Sequence, residues 1–335
     1  MVSEMPYPVR FRTRSAKLRI PPRLIRRADL QYLALMGLYR LTTALLPPDL
    51  WAAVADVMHR LRRGLRKRRV MQLRQRFRAV YGHDVGPDTI RSWHRDRENR
   101  RERRRLYVVA ERWSDRWRPN IRLEGIDGVA AALAQGKGVI LWFDDFIDHN
   151  VLAKRGLYEA GYRIHYLSSV LHGDSISAFG RRYLNPIQTA VESRYVQERL
   201  LLNNTDVGSG NELACTRRMV AILRENGIVG IANILTSGSR VMEIPFGASA
   251  RLAMPTGPVN LALQRGAALF PVATIETEPL ASYSVIIGPR LVPDPAKGKD
   301  AALAEAAMQY AERLLPLVKA HPDQWMGWRR NSFSL

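Results

Sequence analysis

From about residue 120 onward, the sequence alternates short apolar runs with segments of helical periodicity. Runs rich in β-branched and aromatic residues predict strands, and the periodic segments between them predict helices. Helices that separate successive strands must cross over a sheet, so the pattern predicts an α/β domain over 120–335, with a mixed, largely parallel sheet flanked by helices. The predicted strands are 138–143, 162–170, 227–235, 267–276 and 283–287, with a turn at 236–239 and extended chain at 241–245. A short turn and helix is predicted at 123–133, and the other predicted helices are 149–160, 212–225, 258–264 and 301–320.

The positive charge of the chain is concentrated before residue 120. Residues 1–119 hold 30 Lys and Arg against 11 Asp and Glu, whereas residues 120–335 hold 22 against 20. This asymmetry predicts an N-terminal portion that meets a polyanion, either a nucleic acid or an anionic bilayer surface. The single cysteine, Cys215, excludes an internal disulfide framework and a cysteine-based zinc cluster.

The first segment, 1–28, is rich in arginine and proline and predicts a flexible basic arm. It lacks the apolar core and small-residue cleavage site of a secretory signal. The most apolar window of the chain follows at 30–46. It is about one helical turn shorter than a helix that spans a membrane, and it contains Arg40. It therefore predicts an interfacial helix, with an ordinary buried helix as the alternative.

Two arginine-rich stretches, 60–78 and 91–105, carry apolar residues at helical spacing between the charges. This spacing is typical of amphipathic basic helices. A plain solvated helical face is the alternative, but the first stretch has almost no acidic partners in its own sequence. We therefore predict a basic helical membrane-associating region over 29–119.

The polar residues of the predicted sheet are densest directly after the strand at 138–143. A glycine turn leads into this apolar strand, and three carboxylates, an imidazole and an amide follow within a few residues. Polar side chains at the carboxyl end of a buried strand are where α/β enzymes place their chemistry. These residues are Asp144, Asp145, Asp148, His149 and Asn150.

Further blocks stand in order along the rest of the chain. They read Leu-Arg-Glu-Asn-Gly-Ile-Val at 223–229, Ile-Pro-Phe-Gly at 244–247, Pro-Thr-Gly-Pro at 255–258, and Pro-Asp-Gln-Trp at 322–325 before two arginines. Together with 136–153, they resemble the lipid A late acyltransferases, the lauroyl and myristoyl transferase branch of the lysophospholipid acyltransferase superfamily. The resemblance covers most of the chain from about residue 30, and the apolar window and basic helices suit that family's membrane-associating N-terminal portion.

The chain departs from this family at its centre. The resemblance places Asp145 where the catalytic histidine belongs and Asn150 where its acidic partner belongs. In the family, that histidine is the general base towards an acceptor hydroxyl, and the carboxylate holds its tautomer. A carboxylate is a far poorer base towards an alcohol, and an amide does not titrate. Asn233, where the family often carries Asp, is a third difference that removes charge.

Two arrangements could supply the missing base. His149 could act with Asp144 or Asp145 as its orienting carboxylate, since Asp145 lies at i, i+4 from it. Alternatively, a histidine from elsewhere, His165 or His172, could reach the site. The predicted catalytic residues are thus His149, Asp144 and Asp145.

The resemblance also implies substrate-binding residues. Arg194 lies in the region where the family keeps an arginine for substrate phosphate, although Arg199 and the pair Arg181 and Arg182 compete for that role; solvated helix charges are the alternative for each. Phe246 and Gly247 would border the acyl channel. The predicted substrate-binding residues are Asn150, Arg194, Asn233, Phe246 and Gly247.

Three functions follow as expectations. The first is a membrane-associated acyltransferase that moves a fatty acyl chain from an acyl carrier protein or coenzyme A thioester to a hydroxyl of a glycolipid or lysolipid. The second is a catalytically inactive lipid-binding relative. The third, a nucleic-acid binder, lacks any recognised module. We expect no bound cofactor, no metal, no specific nucleic acid, and a peripheral or monotopic location at the cytoplasmic face of the inner membrane, with its anionic surface, the lipid acceptor and an acyl carrier protein as partners.

Overall fold

The computed structural model describes residues 9–13, 23–61, 67–169, 172–173, 175–202, 211–234, 240–329 and 333–334. Its strands are β1 (Arg10–Thr13), β2 (Asn120–Glu124), β3 (Val139–Phe143), β4 (Ile164–Ser169), β5 (Glu198–Leu202), β6 (Ile228–Ala232), β7 (Arg240–Phe246), β8 (Ala250–Pro255), β9 (Ala268–Glu278), β10 (Ser282–Ile287) and β11 (Phe333–Ser334). Its α-helices are α1 (Arg27–Leu45), α2 (Trp51–Leu61), α3 (Lys67–Tyr81), α4 (Pro87–Trp113), α5 (Ile126–Ala134), α6 (Lys154–Glu159), α7 (Asn185–Ser193), α8 (Asn211–Arg224), α9 (Gly257–Arg265) and α10 (Lys299–Ala320).

The main sheet has seven strands in the order β2-β10-β9-β3-β6-β4-β5. The five strands from β9 to β5 are parallel, β10 runs antiparallel to β9, and β2 runs parallel to β10. All five residues of β3 are buried, as expected for a central strand with helices on both faces. The predicted α/β class, with a mixed and largely parallel sheet, is confirmed.

A second, antiparallel sheet lies beside the first, in the order β1-β7-β8-β11. The sequence predicted β7 only as extended chain and did not predict the sheet. Residues 10–13, expected in a flexible arm, form an edge strand on β7, and Arg12 pairs with Glu243 at 2.5 Å. The rest of the predicted arm up to residue 22, apart from Val9, and the predicted turn at 236–239 lie outside the described residues.

The helix predicted at 123–133 begins later in the structure. Residues 120–124 form β2, which pairs with β10 at the edge of the main sheet. Gly125, with φ of +77°, then turns the chain into α5. This backbone conformation is strained for residues with a side chain, so the glycine separates the strand from the helix.

The N-terminal helices pack against the body of the protein. Leu35 and Tyr39 of α1, Trp51 of α2 and Leu106 of α4 share one buried cluster with Tyr283 of β10. The opposite side of α1 is a leucine face that is exposed to solvent. Across the described ranges, no helix combines the length and apolar character needed to cross a bilayer. The leucine face consists of Leu30, Leu33, Leu38, Leu41 and Leu45.

Candidate active site

The site segment, 144–153, follows β3 and is tied to the C-terminal part of the chain. The amide of Ile147 donates to the carbonyl oxygen of Gln324 at 3.0 Å. Phe146 and Trp325 form an antiparallel bridge. The segment that the sequence singled out and the distant Pro-Asp-Gln-Trp block therefore form one structural unit.

The Asp144 carboxyl group lies in a buried polar cluster. Its Oδ1 accepts a hydrogen bond from the Asp145 amide at 2.8 Å. Burial raises the pKa of Asp144 to about 7 and the nearby Asp145 carboxylate adds to the rise, while the Asp145 amide and the side chains of Trp325 and Asn233 offset part of it. Burial also raises the pKa of Tyr310 well above its usual value, and the charge of Asp144 adds to that rise. Near neutral pH, this carboxyl group is therefore divided between its protonated and ionised forms.

The His149 ring is held by the backbone. Its Nδ1 donates to the carbonyl oxygen of Phe146 at 2.6 Å, which leaves Nε2 as the acceptor of a neutral ring. A carboxylate therefore does not orient the ring through Nδ1. The i, i+4 spacing assumed for Asp145 is not a helical one, because the chain enters a π-helical turn only at His149 and continues into α6.

The three predicted catalytic residues are closed off from solvent. Asp144, Asp145 and His149 are 3%, 4% and 2% exposed. A general base must come within hydrogen-bonding reach of the group whose proton it takes. Because these three side chains are buried, none of them is accessible to such a group.

A cavity of about 470 Å³ opens at the carboxyl ends of β4, β5 and β6, between α8 and α9. Ligands of α/β proteins bind at this edge of the sheet. Polar groups of the wall include Ser169, Asn260 and Gln264, and two cations, Arg240 and Lys299, belong to it. Its apolar wall includes Leu167, Leu202, Met219, Ile231, Ile234 and Leu261.

Asn150 is the link between the site segment and this cavity. Of the eight predicted site residues, all within the described part of the chain, Asn150 alone lines the cavity wall. The resemblance assigns this position to the acidic partner of the family's histidine. The cavity thus reaches Asn150 of the site segment but not the buried residues at the start of that segment.

Arg194 lies elsewhere. Its guanidinium donates to the carbonyl oxygens of Glu111 and Arg112, at the end of α4. The last carbonyls of a helix have no partners within the helix, so a basic side chain there completes the helix end. Its competitor Arg199 donates from Nη2 to Ser168 Oγ at 2.8 Å, and Ser168 belongs to the cavity wall.

Phe246 is the last residue of β7, and Gly247 begins the turn that leads into β8. Phe246 is buried against Trp325, with ring centroids 5.4 Å apart. Gly247 has φ of +78°, and a Cβ there would lie 2.3 Å from the backbone oxygen of Val80. These two residues thus pack the hairpin onto α3 and the C-terminal block, and neither borders the cavity.

The structure shows a histidine and carboxylate pair that was not predicted from the sequence. His172 lines the cavity, and its Nε2 lies 2.8 Å from Oε1 of the buried Glu192. The sequence named His172 as one alternative base but gave no signal for Glu192. A signal for His172 was its position directly after the predicted strand that ends at 170, comparable to the position of Asp144 after β3.

Within the described ranges, no three His, Cys, Asp or Glu side chains are grouped so as to hold a metal ion. Asp148, the third carboxylate of the segment, accepts a hydrogen bond from the Tyr107 hydroxyl at 2.9 Å. Burial raises the pKa of Asp148 to about 7, and the charge of Glu276 contributes. Its contacts are thus with α4 and β9 rather than with the polar cluster around Asp144.

A comparison with protein-family models and one with curated proteins both find no match. The fold and the cavity define an α/β protein with a ligand-sized chamber at the carboxyl edge of its parallel strands.

Proposed function

We propose that this chain is a membrane-associated acyltransferase, which moves a fatty acyl chain from an acyl thioester to a hydroxyl of a glycolipid or lysolipid. The observation that carries the proposal is the cavity beside Asn150, which combines an apolar wall with hydroxyls, an imidazole and cations. An acyl chain requires the apolar wall, and a reacting ester requires a few placed polar groups. The ordered blocks that resemble the late acyltransferases agree with this chemistry.

Two cations of the cavity wall, which also contains the carboxylate of Glu212, suit an anionic donor. These cations are Arg240 and Lys299, and Arg240 is held by two hydrogen bonds to Asp300, at 2.8 and 2.6 Å. Nη1 and Nη2 of Arg240 each donate one hydrogen to Asp300, so a guanidinium with five N–H groups retains donors for phosphate and remains charged. Coenzyme A and the prosthetic group of an acyl carrier protein both carry phosphate, so either thioester fits this end of the proposed site.

The location follows from the N-terminal portion. The leucine face of α1 offers apolar side chains to one leaflet, and two exposed arginines of the same helix, Arg27 and Arg40, offer positive charge to anionic headgroups. We propose a peripheral or monotopic position at the cytoplasmic face of the inner membrane, where the lipid acceptor is present.

Gly257 provides a test of the cavity. It lines the wall, and a Cβ there would meet no atom within 4 Å, so the leucine side chain of Gly257→Leu begins in open space at the wall and reduces the cavity volume left for a ligand. We expect purified protein to form an ester from lauroyl or myristoyl coenzyme A and lysophosphatidic acid or a hydroxyacyl glycolipid, and Gly257→Leu to lower kcat/KM by roughly tenfold. Mass spectrometry of the lipid product measures both.

Gly86→Leu is the matched control, because a Cβ at Gly86 meets only Thr89 Oγ1, at 4.0 Å, and the residue precedes α4, outside the leucine face and away from the cavity. It should react as the wild type does in mixed micelles. Absence of ester with every donor and acceptor would contradict the proposal. Equal losses of kcat/KM in both variants would show that the activity does not depend on the cavity.

A second candidate, a catalytically inactive lipid-binding relative, is favoured by one observation. Asp144, Asp145 and His149 are buried and absent from the cavity wall. This candidate predicts that lauroyl coenzyme A or a lysolipid binds with no chemical change. Binding that is lost in Gly257→Leu, without turnover in the wild type, would support it.

A further inference from the structure

His172 is placed to act on a molecule inside the cavity. It follows β4, lines the wall, and has Nε2 2.8 Å from Oε1 of Glu192. A carboxylate can only accept, so Nε2 carries the proton and Nδ1 is the acceptor of a neutral ring. Among the residues that the structure describes, none hydrogen-bonds to Nδ1. The ring is therefore held at Nε2, and within the described part of the chain Nδ1 has no hydrogen-bond partner.

Glu192 is fixed from several directions. It is fully buried, its Oε2 accepts from Lys154 Nζ at 2.8 Å, and its Oε1 also accepts from Gln188 Nε2 at 3.0 Å. Burial opposes its ionisation, but the charge of Lys154 and the hydrogen bonds from Lys154 and His172 hold the pKa of Glu192 well below its usual value. The carboxylate that holds the imidazole is thus charged and immobile.

Lys154 completes the arrangement from α6. Its ammonium lies 3.6 Å from the centroid of the Tyr166 ring, and Tyr166 belongs to the cavity wall. Burial lowers the pKa of Lys154, and the charge of Glu192 opposes that effect. With a neutral imidazole, these three groups carry no net charge, which limits the cost of burying them.

The other candidate histidines are placed differently. His149 donates from Nδ1 to the Phe146 carbonyl oxygen and is absent from the cavity wall. His165 also pairs with a carboxylate, at 3.1 Å from Glu198, but this described pair lies at the opposite end of β4 and does not border the cavity. His172 is thus the histidine that meets both conditions for a base, an orienting carboxylate and access to a ligand.

We infer that His172 is the general base of the acyl transfer proposed above, with Glu192 as the positioning residue that holds its ring. Nδ1 takes the proton of the acceptor hydroxyl as the hydroxyl oxygen bonds to the thioester carbonyl carbon. The tetrahedral intermediate then collapses, the carbon–sulfur bond breaks with its electron pair on sulfur, and the proton passes from His172 to the thiolate. An ester and a free thiol leave, and the neutral imidazole is restored. The inference rests on the proposed function.

The test compares His172→Gln with His165→Gln, the control that also loses a histidine paired with glutamate. Transfer from lauroyl coenzyme A to lysophosphatidic acid is followed by mass spectrometry of the ester and the thiol. We expect kcat to fall by roughly a hundredfold or more in His172→Gln, with the apparent KM for lauroyl coenzyme A little changed. His165→Gln should retain the wild-type kcat.

A rescue experiment separates chemistry from structure. Added imidazole should restore part of the turnover of His172→Ala and leave wild type and His165→Ala unchanged, since a diffusible base can occupy the space of the missing ring. For Glu192, the double variant Lys154→Met/Glu192→Gln removes the buried pair together. We expect this variant to have a lower kcat and an unchanged KM. An unchanged kcat would show that Glu192 does not position His172 for the reaction.

The outcomes distinguish the inference from the proposed function. Full activity of His172→Gln, or absence of rescue in a folded His172→Ala, would overturn the role of His172 and leave the acyltransferase proposal standing. Wild-type protein that forms neither ester nor free thiol with any donor and acceptor pair would overturn both.

Discussion

At the scale of single residues, the Asp144 carboxyl group couples the stability of the protein to pH. Below about pH 4, the group is protonated in both the folded and the unfolded chain. Between about pH 4 and 7, the unfolded chain releases a proton that the folded chain retains, so the free energy of unfolding falls as the pH rises. Raising the pKa from 3.8 to about 7 corresponds to a cost of roughly 4 kcal/mol, at about 1.36 kcal/mol per pH unit.

The variant Asp144→Asn should remove this cost. An amide keeps an acceptor for the Asp145 backbone and has no charge to bury. We expect its free energy of unfolding at pH 8 to exceed that of the wild type by up to roughly 4 kcal/mol, with the gain shrinking towards pH 4. Denaturant titrations across this pH range measure it. Asp115→Asn, in an exposed turn, is the control, and a gain that does not vary with pH would contradict the assignment.

Single residues also mark the limit of what the sequence could predict about the site. Asn150 was predicted because a recognisable strand and motif precede it, and it does line the cavity. Glu192 could not be predicted as a partner of His172, because it lies on a short helix whose position relative to β4 depends on the whole sheet. Burial of Asp144 and His149 likewise depends on Trp325 and its neighbours, far along the chain.

At the scale of elements, a buried ion cluster fastens α4 to the main sheet. Glu276 of β9 accepts from Arg103 Nη2 at 2.7 Å and from Arg100, and Arg100 also donates to Asp323 at 2.6 Å. Arg100 and Arg103 belong to the second arginine-rich stretch, 91–105, which thus obtains acidic partners from β9 and from the C-terminal block. Part of the positive charge of α4 is therefore paired within the fold and is not available to bind a polyanion.

Glu276→Gln should therefore destabilise the protein strongly. It removes the charge opposite two largely buried guanidinium groups. Breaking a buried pair from one side costs about 3–5 kcal/mol. Glu278→Gln, two residues along the same strand and exposed, should change the free energy of unfolding little. Thermal and urea unfolding of the two variants make the comparison, and similar values for both would refute a structural role for the cluster.

The elements that the sequence predicted are those with long or continuous patterns. The predictions at 138–143 and 301–320 agree closely with β3 and α10, because each has a clear apolar pattern of its own. The second sheet was missed because β1 and β7 meet only through the fold, and each alone is a short strand of mixed polarity. The boundary predicted at residue 120 and the membrane role of the region before it stay predictions.

At the scale of the whole molecule, the leucine face of α1 is the surface that we propose binds a membrane. We expect the protein to sediment with vesicles of phosphatidylglycerol and phosphatidylethanolamine, and less with neutral vesicles or at high salt. Leu41→Glu and Leu45→Glu, at side chains that are 60% and 75% exposed, should each weaken binding by about tenfold, since each removes apolar area and adds repulsion.

The control is Val292→Glu, at an exposed apolar side chain outside the N-terminal helices. It should bind vesicles as the wild type does. A duplex DNA shift at the same salt provides the comparison with nucleic acid. Unchanged vesicle binding in both leucine variants, or tighter binding to DNA than to vesicles, would argue against a membrane surface as the partner.

The bridge between the site segment and the C-terminal block has a consequence for the order of folding. The carbonyl oxygen of Asp145 receives the Met326 amide, and the Ile147 amide finds its acceptor in Gln324. A ribosome releases these partners only after it has translated every strand of the main sheet. The strands can therefore pair during synthesis before the segment around Asp145 has its hydrogen-bond partners. Any ligand that requires this segment ordered therefore recognises chains that have been translated past residue 326.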